Sequence, residues 1–330
     1  MFDVPLSVLD LAPVEEGHTA GEALAATTET AVRTEALGYQ RFWVAEHHNM
    51  PGIASSAPSV LLAHLAAATS SIRVGSGGVM LPNHAPLVVA EQFGTLTALH
   101  PGRVDLGIGR APGTDQATAL ALRRTKEGLN ADSFPQELTA LLRYFQGADP
   151  AGITATPGRG ERPEVWLLGS SGFSAQVAGL LGLPFAFAHH FSSANTDPAL
   201  ALYRENFRPS EYLDKPYAMV AVAVVCADTD ERAEELALPR DLAFLHLATG
   251  RPHALPSPEQ AAKYPLSDRE RQFILSRREW QALGSPETVR AQLGALLERT
   301  RADELMINTL VYDVEDRVRS FELVAEKVTA

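Results

Sequence analysis

The strongest constraint on this chain is a repeated alternation of short apolar runs with helix-periodic stretches. The first run, Val4–Leu9, is followed by a helical pattern from about Ala20 to Leu37. There Leu24, Thr28 and Ala31 share a face and Gly38 supplies a stop. Arg41–Ala45, Ile72–Val79 and Arg103–Gly109 come next, separated by the helical stretches Ser59–Ala68 and Leu87–Leu99. Residues 111–163 interrupt the rhythm with polar, Gly/Pro-rich sequence and one clear helix, Ser133–Phe145. Its Leu138, Leu141, Leu142 and Phe145 recur at i, i+3, i+4 and i+7. Glu164–Leu168, Pro184–Ala188 and Tyr217–Cys226 then alternate with helices Phe173–Leu181, Pro198–Phe207 and Glu231–Ala248. Residues 250–284, rich in Pro, Arg and Gln, read as a second insertion. Ser285-Pro286 opens a further helix with an apolar stripe of Val289, Leu293, Leu296 and Leu297. The strand Glu304–Asn308 and the helix Val314–Val328 complete the series.

Eight strands, each followed by a helix, predict a single (β/α)8 TIM barrel with insertions after the fourth strand and before the last. Near-continuous apolar strands suit a parallel sheet buried on both faces. The main rival, a doubly wound sheet, lacks a GxGxxG after the first strand. The 330 residues suffice for one such domain. A net charge of −12 argues against nucleic acid or an anionic membrane as partner. No apolar run approaches a membrane span, and the N-terminus lacks a basic leader pattern, so a cytoplasmic location is expected. The lone cysteine, Cys226, lies in an apolar run and reads as a buried structural thiol.

In a barrel the chemistry sits at the C-terminal strand ends, and four of these are distinctive. Strand two ends in Glu46-His47-His48-Asn49, a pair of histidines able to do acid/base or ligand chemistry. Adjacent residues of an extended segment point to opposite sides, which disfavours one shared metal ion, and no metal site is expected. Strand three ends in Ser76-Gly77-Gly78, where glycine permits either tight packing or the close approach of a flat cofactor to the backbone. Strand four runs into Gly107–Gly113, in which Arg110 carries a fixed charge suited to a phosphate or to a surface ion pair. Strand five ends in Gly169-Ser170-Ser171-Gly172 at a helix start, an ordinary cap or a phosphate cradle. Together these suggest a planar, phosphorylated cofactor.

The segments Ala45–Ser56 (AEHHNMPGIASS), Arg73–Pro86 (RVGSGGVMLPNHAP), Pro101–Asp115 (PGRVDLGIGRAPGTD) and Trp166–Phe191 resemble the bacterial luciferase-like monooxygenases. The resemblance implies a TIM barrel that takes FMN, with a non-proline cis peptide at Gly77-Gly78 beneath the flavin ring and Ser76 beside it. It implies a phosphate turn at Ser170, Ser171 and Gly172, a phosphate-side arginine in Arg110, and His47 as the catalytic histidine of the flavin peroxide chemistry. His84, His189 and His190 are secondary candidates for the pocket, and the 250–284 insertion is a candidate lid. The partners implied are a small organic substrate, O2, a separate NAD(P)H:flavin reductase supplying reduced FMN, and a second copy in a homodimer. Gly109 and Ser170 stand where true luciferases carry a cysteine and an acid, so light emission is not expected. The alternatives are hydride transfer with a deazaflavin coenzyme, a metal-dependent hydrolase using Glu46, His47 and His48, and a flavin-binding protein without catalysis.

Overall fold

A computed structural model describes residues 4–328, apart from 112, 124–132 and 148–149. Eight strands form the ring: β1 (Leu6–Asp10), β2 (Arg41–Val44), β3 (Arg73–Met80), β4 (Val104–Gly109), β5 (Glu164–Gly169), β6 (Phe185–Phe187), β7 (Ala218–Cys226) and β9 (Glu304–Asn308). All pair in parallel, and the barrel closes because β7 lies between β6 and β9, while β9 pairs with β1. The predicted TIM barrel is therefore the observed fold. The helices α1 (Ala20–Ala36), α2 (Pro58–Ala68), α3 (Pro86–Leu99), α4 (Gln116–Arg123), α5 (134–146), α6 (Gly172–Leu181), α7 (Thr196–Asn206) and α8 (Asp230–Ala248) lie between strands. So does α11 (Pro286–Thr300), while α12 (Val314–Leu323) follows the last strand. Helix starts follow local chemistry. Thr19 and Glu22 form a reciprocal capping box on α1, and Ser285 caps α11 with Pro286 in its first turn.

The 250–284 stretch is more ordered than its weak periodicity predicts. It contains α9 (Pro258–Lys263), α10 (Asp268–Arg278) and a ninth strand, β8 (Ala282–Gly284), which pairs outside the ring with Val224–Cys226 of β7. The count of eight strands thus covers the ring alone. A three-residue strand has too little periodicity to declare itself, and α10 buries no residue, so it shows no apolar stripe.

The barrel interior is layered by strand alternation. Near the N-terminal strand ends, Arg41 bridges Asp105 at 2.9 Å and Glu304 at 3.1 Å, both buried. One layer up, Trp43 and Trp166 pack edge to face at 5.4 Å with Leu9, Met219 and Met306. Trp43 donates its indole N–H to Asp105 at 2.8 Å, tying the two layers together. The larger apolar layer fills the space between strands and helices and includes Phe42, Phe93, Phe185 and Phe321. Cys226 is buried, as expected, and burial pushes its thiol pKa up to about 12. Among the described residues no helix is long and apolar enough to cross a membrane.

Candidate active site

Above the tryptophan layer, at the C-terminal strand ends, opens a cavity of about 960 Å³. Its floor is Leu9, Trp43, Gly77, Leu168, Ala186 and Met306, and its rim carries His47, Arg110, Ser170, Ser171 and His190. Five of the residues singled out in the sequence, from four different strand ends, thus meet in one space: His47, Gly77, Arg110, Ser170 and Ser171. Gly172 begins α6 directly beside them. Ser76 and Gly78 are not among the lining residues. Ser76 is buried, and its hydroxyl donates to the Gly107 carbonyl at 2.9 Å.

The glycines of β3 answer first to the barrel itself. A side chain at Gly75 would collide with the Trp43 indole. A Cβ on Gly77 would meet Leu9 Cδ1 at 2.7 Å, and one on Gly78 would meet the Gly107 carbonyl at 2.8 Å. The Gly77–Gly78 peptide is cis, and the β3–β4 register shifts between Gly77 and Val79. Tight packing and access from the cavity are therefore both features of this stretch.

Arg110 lies with its guanidinium 4.3 Å over the Phe173 ring. It makes no hydrogen bond or ion pair with any described residue. Ser171, the N-cap of α6, makes no side-chain cap hydrogen bond. The positive end of α6 and an uncompensated cation thus face the same rim, an arrangement suited to an anion. Phe173 was not anticipated as the platform for Arg110, although it directly follows the Gly/Ser turn.

The histidine pair separates in space. His48 Nε2 turns to Glu46 at 2.9 Å, whereas His47 faces the cavity and its Nδ1 lies 3.3 Å from the Gly113 carbonyl. A carbonyl can only accept, so Nδ1 of His47 carries the proton. Burial lowers the His47 pKa, against the opposing pull of Gly113 and Glu46. The neutral ring then presents Nε2 as an acceptor. His190, on the same rim, repeats the arrangement, with Nδ1 at 3.3 Å from the Ala221 carbonyl and burial lowering its pKa to about 4.

Glu46 is the hidden organiser of this corner. It is fully buried and accepts from the Met80 N–H at 3.0 Å, Asn83 Nδ2 at 3.1 Å, and the imidazoles of His84 and His48. Burial raises its pKa, but these donors outweigh burial and hold the carboxyl below its ordinary range. It therefore locks the ends of β2 and β3 together. His84 serves that lock, and buried His189 pairs with Thr196 Oγ1 at 2.7 Å, away from the cavity. Among the described residues no group of three His, Cys, Asp or Glu is arranged for a metal ion.

A second cavity of about 1400 Å³ continues outward and shares Leu11, His47, His190 and Phe191 with the first. Its walls come from the β2 loop (Met50, Ile53), from α8 (Phe244, Leu247) and from the 250–284 stretch (His253, Leu255, Phe273, Arg277). Among the described residues neither cavity is lined by an aspartate or glutamate. Sequence patterning did not locate this chamber, because its walls come from separate segments that only folding brings together. The 250–284 stretch, the candidate lid, supplies part of this wall.

The mouth of this parallel barrel thus joins a rim carrying Arg110 and the start of α6 to an apolar chamber, at the strand ends where sites of this fold lie. The chain belongs to the luciferase-like monooxygenase family, whose model matches residues 4–304. It is 50% identical over 329 residues to the uncharacterized protein YvbT of Bacillus subtilis (98% of this chain, 96% of that one). It is 48% identical over 321 residues to a luciferase-like monooxygenase of Escherichia coli (97% and 96%). The N-acetyl-S-alkylcysteine monooxygenase of Bacillus subtilis is 34% identical over 99% of both chains. Among solved structures, apo-MsnO8 superposes with a TM-score of 0.90 at 39% identity over 98% of both chains. More distant matches share the fold. One is the oxygenating constituent of 3,6-diketocamphane monooxygenase from Pseudomonas putida, in complex with FMN (TM-score 0.77, 21% identity, 98% of this chain and 97% of that one). Another is an F420-dependent secondary alcohol dehydrogenase in complex with an F420-acetone adduct (TM-score 0.67, 14% identity, 97% and 98%).

Proposed function

We propose that this protein is an FMN-dependent monooxygenase that oxidises a small organic substrate with O2. The observation that carries the reading is Arg110, a guanidinium unpaired among the described residues and stacked on Phe173 beside the start of α6, where Ser171 makes no side-chain cap bond. Arg110, Ser170, Ser171 and Gly172 would hold the FMN phosphate, and Gly77 would underlie the ring, with Ser76 and Gly78 supporting that backbone from behind. Family membership and the monooxygenase relative support oxygen chemistry over hydride transfer with a deazaflavin coenzyme. When bound, reduced FMN supplies the two electrons and the activation of O2.

The chain's own residues then do the rest. The apolar floor and chamber exclude water. His47, neutral with its Nδ1 proton held by the Gly113 carbonyl, offers Nε2 to take up and return a proton at the cavity rim. Glu46 fixes the peptide N–H of Met80 and so the end of β3. A separate NAD(P)H:flavin reductase supplies the reduced coenzyme, and the enzyme works as a cytoplasmic homodimer.

Titration of the purified protein with reduced FMN and with the reduced deazaflavin coenzyme, followed by fluorescence, tests this. Saturable binding of FMN in clear preference to the deazaflavin is expected. The reverse preference, or no binding of FMN, overturns the proposal.

A further inference from the structure

Among the described residues, Arg277 is a second guanidinium that faces the cavities without a counter-ion. It lies on α10 and lines the apolar chamber near His190, with its charged plane 4.1 Å over the Phe244 ring and 5.9 Å from Phe273. Its Nε is buried and has no hydrogen-bond partner. The nearby acid Asp241 is already committed to Arg278, at 2.7 Å and 2.6 Å. Glu279, on the outer side, makes no ion pair with Arg277 among the described residues. Stacking uses the face of the guanidinium and leaves its N–H edge for an acceptor. A buried donor without an acceptor is costly, and hydrogen bonding to a charged acceptor would relieve it. No described residue supplies that acceptor.

We infer that Arg277 is a substrate-binding residue and that the molecule oxidised here is an apolar organic acid. Its carboxylate pairs with Arg277, and its hydrocarbon body fills the chamber toward His47 and His190. A single cation in an apolar wall neutralises a monoanion. A phosphate ester would bring a second negative charge among Phe244, Leu247 and Phe273, and no other Arg or Lys stands among the described residues of this wall to balance it. The fork of the guanidinium matches the two oxygens of a carboxylate. Arg110 and Arg277 thereby divide the site, one for the coenzyme phosphate and one for the substrate. This inference rests on the monooxygenase reading for the fate of the acid, though not for its binding.

Calorimetric titration of the full chain with octanoate and with uncharged octanamide tests it, with and without saturating FMN. Octanoate is expected to bind about tenfold more tightly than octanamide, with the preference lost in Arg277→Gln and partly kept in Arg277→Lys. FMN affinity should be unchanged in both variants. Equal affinity for the two probes, binding of neither, or a preference that survives in Arg277→Gln overturns the inference. A carboxylate preference in a protein that binds no FMN would instead sustain this site and defeat the coenzyme assignment.

Discussion

Replacing Arg110 by alanine separates the coenzyme's phosphate from its ring. Among the described residues the guanidinium has no hydrogen-bond acceptor, and it stacks on the Phe173 ring at 4.3 Å. A charge-assisted contact of this kind contributes about 1.5–3 kcal/mol. Arg110 is only partly buried, which points to the lower half of that range. The FMN dissociation constant should then rise about 10- to 40-fold. Binding should not vanish, because the backbone N–H groups at the start of α6 remain. Fold stability should drop by no more than about 1 kcal/mol, the stacking on Phe173. Riboflavin, which lacks the phosphate, provides the control. Its affinity should be the same for wild type and Arg110→Ala, so the preference for FMN over riboflavin should collapse in the variant. Fluorescence titrations of both ligands against both proteins read this directly. Unchanged FMN affinity, or equal losses for FMN and riboflavin, would refute the placement of the phosphate at Arg110.

Two further outcomes follow from the histidines. His47→Gln should leave FMN affinity within about threefold and slow reoxidation of the bound coenzyme about 10²-fold or more, the usual scale of proton-transfer assistance. Wild type should show an acid limb below the ordinary imidazole range, because burial lowers the His47 pKa, and the limb should disappear in the variant; one that persists would belong to another group. Stability should also fall with acid. The pKa of His189 and His190 is lowered to about 4 by burial, against 6.5 for an unperturbed imidazole. Between those values the unfolded chain binds more protons than the folded one, so stability is present above about 6.5 and is lost as pH drops toward 4. Each group contributes a slope of at most about 1.4 kcal/mol per pH unit. Thermal melts across this window should shift downward with acid and shift less in His189→Gln. Identical profiles for wild type and variant would show that His189 does not contribute.

The barrel was readable because its strands and helices carry the two periods that burial imposes. Val220, Val222 and Val224 of β7 face the helix layer while Met219 and Ala221 face the interior, leaving an apolar run with few rivals. The strand-end motifs were equally visible, since His47, Gly77, Arg110, Ser170 and Ser171 stand beside turn signals. Position at a strand end did not distinguish lining residues from supporting ones. Ser76 turned inward to Gly107, and His48 and His84 serve Glu46. The outer wall was hidden for a different reason. Helices α9 and α10 are set by their capping boxes, Ser257/Gln260 and Ser267/Glu270, and not by an apolar stripe. The S-x-x-E/Q spacing was the signal that could have found them. Arg277 carries no local signature at all, because its distinction is the absence of a partner among the described residues, and partners are known only once the chain has folded.

The central claim is that this cavity directs the reaction of reduced FMN with oxygen. The direct measurement is rapid mixing of the protein–reduced FMN complex with oxygenated buffer, following the full flavin spectrum. A transient spectrum distinct from both reduced and oxidised FMN is expected, decaying more slowly than free reduced FMN reoxidises. Single-step reoxidation at the rate and with the spectra of free FMN would contradict it.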